Sequence, residues 1–281
     1  MEKALERAKI LVEALPYIQR FRGKLLVIKL GGKIFENPEL LSDCARDILL
    51  LKTVGMDPVV VHGGGPQLDR MLDRLGVETK KVNGLRVTDD KTMEVVEMVL
   101  AGQLNREMVM RINLVGGRAV GLSGKDTMMI IARPVEDGRL GAVGDVASID
   151  TRLVLELVRS GVIPVISPIG VDEQGKIYNI NADAAAGAIA AELNAEKLVL
   201  LTDVEGVKDS SGNFISSLHA GEANRMIKDG SISGGMIPKV KCCLEALRSG
   251  VVKAHIIDGR VSYSLLLEIL TDKGLGTEIY L

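Results

Sequence analysis

The chain has no tryptophan and only three phenylalanines and four tyrosines in 281 residues. So few aromatic rings argue against the stacking platforms that hold single-stranded nucleic acid. Neither charge is in excess: 35 Lys and Arg against 37 Asp and Glu give −2. A broad basic face for a nucleic-acid backbone is therefore not expected. No run of about 18 apolar residues occurs, so no membrane span is expected. The segment Met1-Glu2-Lys3-Ala4-Leu5-Glu6-Arg7 carries charge throughout and lacks the apolar core of a signal peptide. Cysteine is scarce: Cys44, Cys242 and Cys243 are odd in number, two are adjacent, and none has zinc-ligand spacing with a histidine. They read as small buried hydrophobes in a reduced, cytoplasmic setting.

The composition that remains is that of a soluble globular protein, 47% hydrophobic and 26% charged. The length suits one large domain or two medium ones. Leu5, Ala8, Leu11, Leu15 and Ile18 share one helical stripe, so residues 3–22 read as an amphipathic helix, with Pro16 a point of bending. That stripe must bury on its own domain or on a partner subunit. Beyond it, strands (24–30, 58–61, 118–122, 127–133, 162–166, 197–201, 254–258) mostly alternate with helices. The helices are expected after Asn37-Pro38, from Pro66 to Leu75, and over 90–101, 150–160, 183–193, 219–229, 238–249 and 262–270. Continuous apolar strands joined by helices predict an α/β fold with a mostly parallel sheet covered on both faces. A soft division falls near residue 180. In such sheets ligands sit beyond the carboxyl ends of the strands.

Two glycine turns lie at such ends. Leu25-Leu26-Val27-Ile28-Lys29-Leu30 runs into Gly31-Gly32, and Pro58-Val59-Val60-Val61-His62 into Gly63-Gly64-Gly65-Pro66. Bare backbone admits an anion that a Cβ would hold off, and a helix starting at Pro66 adds an anion-binding N-terminus. Neither turn carries G-x-G-x-x-G. Gly121-Leu122-Ser123-Gly124-Lys125-Asp126 also fails as a Walker A loop, because Ala119 stands for its first glycine and Asp126 for Ser/Thr. Lys29 is unusual at the end of an apolar strand, which favours phosphate contact. Lys239, in Gly234-Gly235-Met236-Ile237-Pro238-Lys239, opposes the dipole of the helix it begins, which suggests an anion nearby. Arg86 lies between a turn and a helix cap, as a surface ion-pair partner or a carboxylate ligand. Asn179-Ile180-Asn181-Ala182-Asp183 offers more polar groups than one helix cap needs. His62 reads as structural.

Seven motifs in order resemble the amino acid kinase family and, within it, the N-acetylglutamate kinases: K-L-G-G (29–32), H-G-G-G-P-Q (62–67), N-G-L-R-V-T (83–88), G-L-S-G-K-D (121–126), N-I-N-A-D (179–183), L-T-D-V-E-G (201–206) and G-G-M-I-P-K (234–239). The resemblance implies an αβα sandwich of carbamate kinase-like fold. Its parts would be an N-terminal helix (1–22) for oligomerisation, an amino-acid-binding lobe (23–180) and a nucleotide-binding lobe (181–281) on one continuous sheet. It implies MgATP and N-acetyl-L-glutamate as substrates, with no metal held by the protein itself. Lys29 and Lys239 would be transition-state cations oriented by Asp183. Gly64 and Gly65 would face the acceptor, Arg86 its α-carboxylate and Asn179 its acetamido group. Gly31, Gly32, Thr202, Asp203, Lys208, Gly235 and Met236 would hold the nucleotide, with Gly31-Gly32 lending backbone donors. The arginine-inhibited, hexameric members have a similar N-terminal helix and a C-terminal pattern matched by His255, Glu268 and Gly274, with Tyr17 and Lys197 as further effector residues. Tyr263 departs from that pattern, which has histidine. A nitrogen-signalling protein is a partner of some members. Other carboxylate kinases (glutamate 5-kinase, aspartokinase) and a catalytically silent nucleotide sensor stand as alternatives.

Overall fold

The computed structural model describes residues 2–82, 85–272 and 274–281; Asn83 and Gly84, which open the 83–88 motif, lie outside the described residues. The elements in chain order begin with α1 (Glu2–Phe21), β1 (Leu25–Leu30), α2 (Pro38–Thr53), β2 (Asp57–His62), α3 (Gly65–Arg74), β3 (Lys81–Val82), β4 (Leu85–Arg86) and α4 (Asp90–Glu97). They continue with α5 (Asn105–Leu114), β5 (Ala119–Ser123), β6 (Ile130–Pro134), β7 (Val143–Ile149), α6 (Arg152–Arg159), β8 (Ile163–Ser167), β9 (Ile169–Val171), β10 (Ile177–Ile180) and α7 (Ala182–Glu192). The last are β11 (Lys197–Thr202), β12 (Ser217–His219), α8 (Ala220–Lys228), α9 (Met236–Arg248), β13 (Lys253–Asp258), α10 (Ser264–Leu270) and β14 (Thr277–Tyr280).

Eight strands form one sheet in the order β12-β14-β13-β11-β1-β2-β8-β5. From β13 to β5 every neighbouring pair is parallel; only β14 is antiparallel to β13. The middle strands are buried along nearly their whole length, as two-sided covering requires. Side-chain alternation divides them between two cores. Val27, Val59, Val61, Leu198 and Leu200 pack with α6, α7 and α9, through residues such as Val154, Ala186 and Val240. Leu26, Ile28, Leu30, Val60 and Val199 pack with α2, α5 and α10, through Leu41, Met108 and Leu265. This is the expected αβα sandwich. Strands β10, β7, β6 and β9 form a smaller sheet that closes on itself, and β3 and β4 form a separate hairpin.

Three parts differ from the sequence reading. The helix expected over 90–101 runs on as α4, a π-helical stretch Met98–Leu104, and α5. Gly102 follows the expected end directly, and the wider π turn carries the chain past it. The edge strands β12 and β14 are too short for a periodic signal. Third, most of the α1 stripe has no cover: Leu5, Leu11 and Leu15 are exposed, Leu11 at 72%. Among the α1 residues whose burial is described, those toward its end pack inward, with Phe21 in the core and Ala14, Tyr17 and Ile18 beside it.

Candidate active site

The carboxyl ends of β1, β2 and β11 meet at the strand-order switch, where Leu30 pairs with both His62 and Leu201. Lys29 shares the face of Val27, so it points toward α7. There Asp183 receives it: Lys29 Nζ lies 2.7 Å from Asp183 Oδ1, and Lys239 Nζ, from the first turn of α9, lies 2.8 Å from Oδ2. Asn181 caps α7, its Oδ1 accepting from the N–H of Asp183 at 2.9 Å and of Ala184 at 3.2 Å. The cap duty thus falls on Asn181 and leaves the Asp183 carboxylate for the lysines. Burial alone would raise that carboxyl, but the two ammonium groups outweigh it and hold it at about 2. Lys239 is so accommodated against its helix dipole by a carboxylate.

The glycines act mainly by close packing. Gly31 donates its N–H to Leu201 O at 3.0 Å, so the expected role of this N–H as an anion donor is corrected: the sheet uses it. A Cβ on Gly32 would meet Pro66 Cδ at 2.8 Å, which lets the two turns touch. A Cβ on Gly64 would collide with Leu104 and Leu100 of the π-helical stretch, whereas one on Gly65 would meet nothing within 4 Å. Gly65 therefore faces open space at the start of α3, whose N-cap Gly64 offers no side-chain bond. Helix N–H groups there remain available to an anion.

A cleft of about 260 Å³ opens beside this point, lined by Lys29, Gly64, Gly65, Arg86, Asn179 and Asp183 among others. Arg86 is buried and holds Thr79 Oγ1 at 2.9 Å and the carboxylate of Asp69. Asn179 Nδ2 lies 3.4 Å from Thr88 Oγ1. A second cavity of about 220 Å³ adjoins, lined by Lys29, Gly31, Gly32, Lys33, Thr202, Asp203, Lys239 and Arg260. Lys29 and Gly32 line both, which puts them at the junction. Asp203 is engaged by Lys33 at 2.6 Å. Met236 and Lys208 line a third cavity that shares Asp203 and Arg260; Lys208 pairs with Glu205 at 3.1 Å and does not reach Lys29 or Lys239. Gly235 is the N-cap of α9, with open space where a Cβ would stand. His62 is buried, its Nδ1–H donating to Gly63 O at 3.1 Å and its Nε2 accepting from Asn105 Nδ2 at 3.3 Å. Burial lowers its pKa to about 4, so it is neutral and structural, as read from the sequence.

Sequence reasoning missed Asp69, Lys81, Thr79, Lys33 and Arg260. Lys33 alone carried a signal, following the first glycine turn directly. The others are ordinary surface residues until tertiary folding brings them in.

The five effector candidates also converge, at the opposite, amino end of β11 and β13. Tyr17, Lys197, His255, Glu268 and Gly274 line one cavity of about 400 Å³ with Arg20, Phe21, Lys253 and Glu278. His255 Nδ1 lies 2.6 Å from Glu268 Oε1 and its Nε2 lies 3.2 Å from Lys197 Nζ. Burial lowers both His255 and Lys197 from their usual values. Glu268 Oε2 accepts from the N–H of Leu275 at 2.7 Å and of Gly276 at 3.1 Å, and Tyr17 donates to Asp272. Tyr263 stands outside this cavity, exposed, at φ 60° before α10.

The family model of the amino acid kinase family matches residues 24–258. An acetylglutamate kinase of Acinetobacter baylyi is 54% identical over 99% of this chain and 95% of its own length. Among solved structures, N-acetylglutamate synthase of Neisseria gonorrhoeae is 28% identical. Its complex with coenzyme A and N-acetylglutamate aligns at TM-score 0.88 over 98% of this chain, and its complex with coenzyme A and L-arginine at 0.83. This chain spans 63% of that synthase. Carbamate kinase of Giardia lamblia, 18% identical, shares the fold at TM-score 0.71 over 92% of this chain. The chain belongs to the amino acid kinase family and, within it, to the acetylglutamate kinases.

Proposed function

We propose that this chain transfers the γ-phosphoryl group of ATP to the γ-carboxylate of N-acetyl-L-glutamate, giving N-acetyl-L-glutamyl 5-phosphate and ADP in arginine biosynthesis. The observation that carries the chemistry is the buried Lys29–Asp183–Lys239 bridge at the junction of two cavities. A carboxylate with a reference pKa of about 4.3 is ionised at neutral pH, so the nucleophile needs no general base. The obstacle is repulsion between two anions. A γ-carboxylate oxygen attacks the γ-phosphorus as the bond to the ADP oxygen breaks, and both lysines offset the charge that spreads over the phosphoryl oxygens. Asp183 orients the lysines. Gly64 and Gly65 face the acceptor, Arg86 takes its α-carboxylate and Asn179 its acetamido group. Gly31, Gly32, Thr202, Asp203, Gly235 and Met236 flank the nucleotide, with Lys208 at its far end.

Among the described residues no group of three or more His, Cys, Asp or Glu is placed to hold a metal. On this reading Mg²⁺ enters with the nucleotide, carried on its phosphates. The division into lobes 23–180 and 181–281 follows the same assignment of acceptor and nucleotide. No helix among the described residues is long and apolar enough to cross a membrane, and we place the enzyme in the cytoplasm.

The cavity of about 400 Å³ at the amino ends of β11 and β13 supports feedback inhibition by L-arginine. Glu268, Glu278 and Asp272 suit a guanidinium or amino group, and Lys197, Lys253 and Arg20 suit its carboxylate. ADP release with N-acetylglutamate, with and without arginine, tests both readings. Turnover of glutamate or aspartate in its place would favour another carboxylate kinase, and no turnover with any of them would favour a nucleotide sensor.

The exposed stripe of α1 supports a hexamer, a trimer of dimers joined through this helix. Deleting residues 1–20 is expected to convert hexamers to dimers in analytical ultracentrifugation; an unchanged oligomer would refute this use of the helix. Binding of a nitrogen-signalling protein, a partner that the family resemblance suggests, is tested by the same method.

A further inference from the structure

Asp69, one turn into α3, grips two cations of the β3–β4 hairpin at once. Lys81 Nζ lies 2.9 Å from Oδ2, and Arg86 Nη2 donates to Oδ1. Lys81 and Arg86 are direct cross-strand partners. Like charges directly opposite each other destabilise a strand pair, so this pair calls for an anion. One carboxylate between two cations leaves a net positive charge. Both cations line the acceptor cleft, and Asp69 does not. Asp69 therefore stands behind them, on the helix that starts at the second glycine turn. The guanidinium, with one nitrogen on Thr79 and one on Asp69, keeps further N–H donors for a ligand.

We propose that Lys81 is a second cation for the acceptor's α-carboxylate, and that Asp69 is a positioning residue that holds Lys81 and Arg86 side by side to receive it. This rests on the acceptor reading above. The geometry supplies the complement of that carboxylate. Its single negative charge balances the residual positive charge, and the clasp ties the hairpin to the backbone facing the rest of the acceptor. A purely competitive role for Asp69, occupying Arg86 until the acceptor displaces it, has the opposite sign.

The test compares N-acetylglutamate with its α-carboxamide, which keeps the γ-carboxylate nucleophile but loses the α-charge. Asp69→Asn and Lys81→Met are each expected to lower kcat/KM for N-acetylglutamate about 10-fold, mainly through KM, with KM for ATP unchanged. For the carboxamide, read as substrate or as competitive inhibitor, the change should stay within about twofold. Lys81→Arg should restore most of the loss. Equal losses on both ligands would reduce the clasp to a structural tie, and a lowered KM in Asp69→Asn would make it a competitor; either overturns the proposal. Lys81→Met leaves α3 untouched, so it reads the α-carboxylate even where Asp69→Asn disturbs the helix. Failure of the wild-type enzyme to use N-acetylglutamate would instead strike the acceptor reading itself.

Discussion

Alanine at Lys239 is expected to lower kcat at least about 100-fold, with little change in KM for N-acetylglutamate. Lys239 lines the cavity proposed for the nucleotide and not the acceptor cleft, so on the proposed mechanism its charge acts where the phosphoryl group leaves ADP. Its removal leaves Asp183 paired with Lys29 at 2.7 Å, so no buried charge is stranded and the fold should survive. Lys29→Ala should match the loss in kcat. It should also raise KM for both substrates, because Lys29 lines both cavities. Losses from the double variant should fall short of the product of the two, since both lysines meet the same charge on the same carboxylate. Steady-state kinetics decide the matter: a kcat near the wild-type value in either single variant removes that lysine from the chemistry.

Lys29 and Lys239 were legible in the sequence because each breaks a local rule. A lysine in a buried strand and a cation at a helix N-terminus both demand an anion, and the demand is visible without a structure. The strands were legible for a related reason, since a sheet covered on both faces needs apolar runs. What stayed hidden breaks no local rule. Asn181 and Asp183 are equally good cap residues on paper, and only the position of α9 assigns the cap to one and the lysines to the other. Asp69 and Lys81 read as a solvated pair of surface charges until the hairpin turns back onto α3. Gly102 stands in a helix that should have ended, and its neighbours Leu100 and Leu104 pack on Gly64 through a π turn that propensity does not encode. Gly31 was legible as a glycine but not for its reason: its N–H completes the sheet. Local violations thus mark the charged centre of the site, while the residues that hold it in place act only in three dimensions.

Asp183→Asn is expected to cost about 100-fold in kcat and to reduce stability by several kcal/mol, the amount typical of breaking a buried ion pair. The amide keeps the shape and removes the charge, so two ammonium groups would face each other with no counter-ion. Their mutual repulsion would spread them away from the phosphoryl position. The stability loss carries a pH signature of known sign. The folded carboxyl sits at about 2 against an ordinary 3.8. A depressed carboxyl contributes fully above 3.8 and loses that contribution as pH falls through the folded value. That part amounts to about 2 kcal/mol. The gap between wild type and Asp183→Asn should therefore be constant from neutral pH to about pH 5 and should narrow below it. His62 does not confuse the comparison. Its folded pKa of about 4 lies below an ordinary 6.5, so it destabilises both proteins equally as pH falls through that range. Cys242, whose Sγ donates to Asp183 O at 2.9 Å, is silent too, because burial pushes its thiol to about 12. Denaturant unfolding of both proteins across this pH range measures the gap directly. A gap that stays constant down to pH 3 would mean that Asp183 is not held ionised by the two lysines, and the charge-bridge account of the site would fall with it.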